Sequence, residues 1–205
     1  QWNNWGGLND VTRNQDYSYG LDASDYSFGG ILGSTNIDTR PSGLRPGFRF
    51  SASASNRTYT GRVMATYTSP DQDNGLVYSI STSRRWAKEG YIEGTLYDAY
   101  SLFGSLEYWI DAKNSLVATA ILAWNRRGRS SAITEEVFNL VGKKYNPYWG
   151  YQNGEVRNSR ERKIAEPIVM LNHILETDKF NLNTGILYQT GINSKSRLGY
   201  YNAPN

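Results

Sequence analysis

Gly104-Ser105-Leu106-Glu107-Tyr108-Trp109-Ile110 sorts its side chains by parity: Leu106, Tyr108 and Ile110 fall on one side of an extended chain, Ser105 and Glu107 on the other. Successive side chains of a strand point to opposite faces, so this stretch is a strand with one apolar and one polar face. The pattern runs back to Tyr97 and places Tyr100, Leu102, Leu106, Tyr108 and Ile110 in one row. It recurs on both sides. Before it lie candidate strands at Phe48 to Ser55, Tyr59 to Thr68 and Leu76 to Ser83. After it come Ser115 to Trp124, with Leu116, Ala118, Ala120, Leu122 and Trp124 in a row, then Lys163 to Glu176 and Phe180 to Gln189.

Strands of about ten residues exceed the ~5–6 usual in a soluble sheet and match the ~9–11 that cross a bilayer at a tilt. The connections alternate. Those at 69–75, 111–114 and 177–179 are short; those at 84–96 and 126–162 are long, while Asn56-Arg57 is a short exception. Tight turns at one end and large loops at the other fit a membrane barrel with short periplasmic turns and long outer loops. The expected fold is therefore all-β: an antiparallel, up-and-down segment of a transmembrane β-barrel, about seven strands. Tyr100, Leu102, Leu106, Tyr108, Ile110, Leu116, Leu122 and Trp124 would face lipid. On this reading Leu106→Arg is costly and Ser105→Arg is mild. The long outer loop carries one expected short helix, Ile133 to Val141. Thr134 or Ser131 would cap it, Glu135 and Glu136 suit its positive end, and Gly142 with Lys143 and Lys144 its finish.

Composition agrees with a barrel and excludes a helical membrane protein. Mean hydropathy is -0.61, and no stretch approaches the ~18 apolar residues a membrane helix needs. A barrel strand shows lipid only every second residue, so a polar average is compatible with it. The 16 Tyr and 6 Trp suit rings held half in headgroups and half in hydrocarbon, although sugar-binding sandwiches are also aromatic-rich. The net charge of +3 is spread out, and no basic stripe marks a nucleic-acid partner. There is no Cys, which fits an exported protein without disulfides. Gln1 is not a start residue, and the segment from Tyr200 to Asn205 has loop composition, so the chain is expected to be a piece of a longer one.

Residues 1–33 hold Trp2, Trp5, Tyr17, Tyr19, Tyr26 and Phe28 among turn formers, with no sustained period. Thr35 to Thr39 is a short strand candidate. Pro41, Gly43, Pro46 and Gly47 then break regular structure, which makes 41–47 a linker.

Few residues are suited to chemistry. The one histidine, His173, lies on a strand with no nucleophile nearby in sequence, and catalysis is not expected. Asp71-Gln72-Asp73-Asn74-Gly75 opens like a calcium loop but lacks the distal Glu, and reads as a polar turn. No cofactor is expected. Arg126, Arg127 and Arg129 head the long loop, and Arg157, Arg160, Arg162 and Lys163 close it. They suit anionic lipopolysaccharide headgroups or an acidic substrate, or simply a solvated loop base paired with Glu155 and Glu161. Tyr148, Trp149 and Tyr151, with Tyr145, are of a kind that stacks on sugar or forms the loop's own small core.

The octet Gly33-Ser34-Thr35-Asn36-Ile37-Asp38-Thr39-Arg40 resembles the strand that ends the plug of TonB-dependent outer-membrane receptors, which reads like Gly-Gly-x-x-Asn-Ile-x-Thr-Arg/Lys. Gly33, Asn36, Ile37, Thr39 and Arg40 fit, Leu32 stands in place of the first glycine, and a linker and strands follow as in that family. The wording of 78–87, 91–103 and 124–151 is similar to receptors from Bacteroidota. The resemblance implies the end of a plug domain over 1–40, a linker at 41–47, and the N-terminal strands of a barrel of about 22 strands over 48–205. It implies an outer-membrane location and active import of a glycan, peptide or metal chelate. The partners it implies are outer-membrane lipid and lipopolysaccharide, TonB through a region N-terminal to this chain, and a surface lipoprotein. The alternatives are a passive channel or adhesin on a similar barrel, and a secreted carbohydrate-binding β-sandwich.

Overall fold

A computed structural model of the chain describes residues 5–22 and 30–199. Trp2, Tyr26, Phe28, Gly29 and the segment from Tyr200 to Asn205 lie outside the described residues. The N-terminal part contributes β1 (Gln15–Ser18) and β2 (Ser34–Ile37), which pair antiparallel, and a 3-10 turn at Pro41–Gly43. The main sheet then begins with β3 (Gly47–Ala54), β4 (Gly61–Thr68), β5 (Leu76–Ala87), β6 (Tyr97–Trp109) and β7 (Asn114–Gly128). After α1 (Glu135–Val141) and the hairpin of β8 (Trp149–Gln152) and β9 (Glu155–Asn158) come β10 (Glu161–Ala165), β11 (Ile168–Glu176), β12 (Asn181–Gln189) and β13 (Ile192–Lys195).

Every pairing is antiparallel, and β3, β4, β5, β6 and β7 follow one another as a meander. β10 and β11 both pair with β7 and act as one strand. Ala165 faces Trp124 and Ile168 faces Ile121, so the register continues across Glu166 and Pro167. A proline has no N–H for the ladder, which is why this strand is interrupted without slipping. On its other side β12 and β13 continue in register in the same way. The chain is thus all-β with one short helix, in the order expected from the alternation.

Two strands run four residues past their expected ends. β5 runs on to Ala87, and β7 runs on to Gly128. Arg126 and Arg127 therefore belong to a strand and do not head a loop. Charged side chains are a loop signal in the sequence, but the ladder with β10 continues beneath them.

The burial of the two faces is inverted relative to a soluble sheet. The apolar rows are bare: Leu102 is 49% exposed, Leu106 43% and Leu122 44%. The polar rows are covered, and Ser79, Ser81 and Glu107 are fully buried. Their hydroxyls pair across strands in register: Thr66 with Ser81 at 2.7 Å, Thr68 with Ser79 at 2.9 Å, and Ser105 with Thr119 at 3.0 Å. Each pair satisfies two buried hydroxyls at once. Ser105 is thus a buried, bonded position, so the expectation that Ser105→Arg is mild is corrected.

The N-terminal segment supplies the cover. Leu8, Val11 and Leu44 pack on Phe103, Ile121 and Ile168, with Trp5 and Met170 at the margin. Polar contacts add to this small core. The Ser42 backbone N–H donates to Glu107 Oε2 at 3.1 Å. Arg49 of β3 reaches Asp10 at 3.1 Å. Arg40 is held by Asp38, with Nη2 to Oδ2 at 2.8 Å, and lies 3.8 Å from Glu176. The hydrogen bond to Asp38, aided by the charges of Asp38, Glu107 and Glu176, raises the Arg40 pKa against the opposing effect of burial. Asn36 and Ile37 lie in β2, and Thr39 is buried beside the turn. Gly33 turns into β2 with φ +79°, where a Cβ would lie 2.1 Å from the Ser18 carbonyl oxygen. Only glycine meets both demands.

At one end of the sheet the turns are tight. In the turn before β7, Asp111 Oδ1 accepts the backbone N–H groups of Lys113 at 2.7 Å and Asn114 at 2.9 Å. Hydrogen bonds from the Asn114 side chain and then the Lys113 backbone lower the Asp111 pKa. Asp71 to Gly75 lies in another of these connections. The helix forms as its caps require: Thr134 accepts from the Val137 N–H, Glu135 and Glu136 fill the first turn, and Gly142 ends it with φ +83°. It starts at Glu135, two residues later than Ile133.

Candidate functional site

Segments 55–60, 88–96 and 129–160 gather at the end opposite the tight turns. Two buried asparagines tie them together. Asn146 Nδ2 donates to the Glu93 carbonyl at 2.8 Å and the Arg129 carbonyl at 3.1 Å, while its Oδ1 accepts the Tyr148 N–H. Asn158 Nδ2 donates to the carbonyls of Gly94 and Arg129, each at 2.9 Å, and its Oδ1 accepts the Arg160 N–H. The backbones meet as well: Tyr91 N–H donates to Arg57 and Glu93 N–H to Lys144. Gly94 has φ +67° and leaves no room for a Cβ against Trp149, so β8 lies directly on the 88–96 loop. The loop end is therefore built as a unit.

The β8–β9 hairpin was not foreseen. Its signal is present in Asn153-Gly154, which take φ +52° and +82°, as a two-residue hairpin turn with both central residues left-handed requires. The asparagines carry no such local sign, because their partners are far away in sequence.

The register divides the charged residues between the two faces. Arg126 shares the bare face with Trp124, and Arg127 shares the covered face with Tyr97 and Arg162. On the bare face two arginines are matched to carboxylates. Arg126 grips Glu161 with two bonds of 2.8 and 2.9 Å. Arg84 lies 3.7 Å from Asp98 and 4.7 Å above the Tyr100 ring. A groove of about 1130 Å³ opens there between the hairpin and the sheet, lined by Trp149, Tyr151, Arg126, Arg157 and Lys163. Trp149 meets Tyr151 edge to face at 5.8 Å, and Tyr151 is exposed, so these rings do not form a closed loop core. Tyr148 is stacked under Arg160 at 5.4 Å.

On the covered side a second cavity of about 700 Å³ is lined by Arg57, Tyr91, Tyr97, Arg127 and Arg129. Its size suits a small ligand. Arg126 is thus separated from Arg127 and Arg129, which the structure brings together with Arg57.

The bare rows end in aromatics at both levels. Trp86, Tyr100 and Trp124 stand near the loop end and Tyr67, Tyr78 and Tyr108 near the turn end, with Ile80, Leu102, Leu106 and Leu122 between. Tyr100 contacts Trp124, and Tyr67 contacts Tyr78, each at 5.9 Å. Leu116 and Ile110 sit in the same rows at the turn end, half-buried and exposed. His173 also lies on this face, and its Nε2 is 3.1 Å from Asn114 Oδ1. Among the described residues no group of His, Asp and Glu is arranged to hold a metal ion. Comparisons with protein families, with curated proteins and with solved structures gave no match to this chain.

Proposed function

We propose that this sheet is part of the wall of an outer-membrane transport barrel, and that the N-terminal segment is the end of a plug lying inside it. The carrying observation is the inverted burial. Rows of Leu, Ile and Tyr are bare while Ser, Thr and Glu rows are sealed beneath another part of the same chain. A bare apolar face of this extent is an aggregation liability in water and a requirement in hydrocarbon. The aromatic levels support the same reading. From Tyr100 to Tyr108 the strand rises about 26 Å, or about 20 Å when tilted at ~40°, which fits the apolar band between two interfacial girdles.

The sheet is open at β3 and at β12–β13. In lipid those edges need partners, so further strands complete the wall. The resemblance of Gly33 to Arg40 to a plug-ending strand favours a TonB-dependent importer over a passive channel or adhesin. A water-soluble sugar-binding sandwich would need a second layer on the bare face. Outer-membrane lipid is then the solvent of that face. Lipopolysaccharide headgroups lie at the level of Arg126 and Lys163, TonB acts through the plug, and a surface lipoprotein is a fitting partner for the outer loops.

Fractionation of cells that express the full protein tests this reading. Recovery in the outer membrane, with cargo uptake that stops when TonB is deleted, is expected. Recovery in the soluble fraction would reject the proposal, and TonB-independent uptake would replace import by passive conduction.

A further inference from the structure

We infer that the loop end of the covered face binds a polyanion, a saccharide or comparable solute that carries several sulfate, phosphate or carboxylate groups. The inference rests on the reading of that face as the barrel interior and specifies the chemistry of the cargo. It starts from two cross-strand pairs of like charge. Arg62 of β4 stands directly opposite Arg85 of β5, and Arg127 of β7 stands directly opposite Arg162 of β10. All four share the parity of the covered face. Residues directly opposite across an antiparallel pair have Cβ atoms about 5 Å apart, and like charges there destabilise a sheet. Arg57 and Arg129 add two more guanidinium groups at the same end.

None of these six arginines makes an ion pair among the described residues, and no carboxylate lines the cavity that holds Arg57, Arg127 and Arg129. The Nε atoms of Arg62 and Arg85 are buried without a hydrogen-bond partner. The opposite face differs: Arg84 and Arg126 each have a carboxylate. Arg84 and Arg126 are thus matched on the bare face, and on the covered face Arg49 has Asp10, while the six arginines at the loop end of the covered face are left without a carboxylate. Guanidinium groups are planar forks suited to two-point binding of sulfate, phosphate or carboxylate. Tyr91, exposed in the same cavity, offers a ring face for the body of a sugar. A ligand with several anionic groups would relieve both repulsive pairs at once, which a neutral sugar or a single carboxylate cannot do.

The test uses the full-length protein in detergent, with a sulfated dextran oligosaccharide and the neutral dextran of equal length as probes. The sulfated probe is expected to bind at least about tenfold tighter, with affinity falling as salt rises. Arg127→Gln with Arg162→Gln, and separately Arg62→Gln with Arg85→Gln, should each weaken its binding by about tenfold or more. Both double variants should also raise the thermal midpoint of the unliganded protein, which separates lost recognition from damaged folding. Arg84→Gln, on the other face, should leave affinity unchanged. Equal binding of both dextrans, or double variants that bind like the wild type, would overturn the inference. Outer-membrane fractionation is read independently, so a membrane protein indifferent to sulfation refutes the polyanion while leaving the importer standing.

Discussion

Single side chains carry opposite expectations according to parity. Leu106 lies on the bare face, and Leu106→Arg is expected to cost about 2–4 kcal/mol in a refolding titration into lipid vesicles; an unchanged midpoint would place that face in water. Gly33→Ala meets the Ser18 carbonyl and a left-handed backbone together. It should cost more than about 1 kcal/mol, read as a lowered denaturation midpoint. The parity of Leu102, Leu106 and Leu122 was legible because strand periodicity is local. The task of Glu107 was not. It reads as a polar residue of the inner row, yet it accepts the N–H of Ser42, 65 positions away, and no local pattern encodes that meeting. Ser105 shows the same limit: a small polar residue looks tolerant until the segment that covers it is in place.

At the level of elements, local signals matured into local structure. Thr134, Glu135, Glu136 and Gly142 mark a helix and form one. The strand order and the tight turns followed from alternation and turn chemistry. Where a ladder outlasted the apolar pattern, the reading stopped early: β7 continues through Arg126 and Arg127 because β10 stays paired with it. The loop scaffold depends on Asn146 and Asn158. Asn158→Ala leaves the carbonyls of Gly94 and Arg129 without that donor and is expected to cost about 1–3 kcal/mol locally. Hydrogen exchange should quicken in 88–96 and 129–160 while the amides of β6 and β7 keep their protection. Uniform loss of protection through the sheet would show instead that the asparagines support the whole fold.

For the whole molecule, the account turns on what touches the bare face. The N-terminal segment seals the polar rows with Leu8, Val11 and Leu44 and leaves the apolar rows uncovered. The same chain therefore has a protein interior on one side of its sheet and, on this account, hydrocarbon on the other. The antiparallel all-β class was legible from the alternation alone, whereas the cationic face was not, because it is assembled by cross-strand register from four strands. The chain has no cysteine, so single cysteines can be introduced along β6 for spin labelling. In the full protein reconstituted into membranes, labels at 100, 102, 106 and 108 should collide freely with dissolved oxygen and poorly with an aqueous nickel chelate, while labels at 101, 103 and 105 are shielded from both. Ready access of the chelate to 102 and 106, or shielding of those two positions from oxygen, would contradict the account.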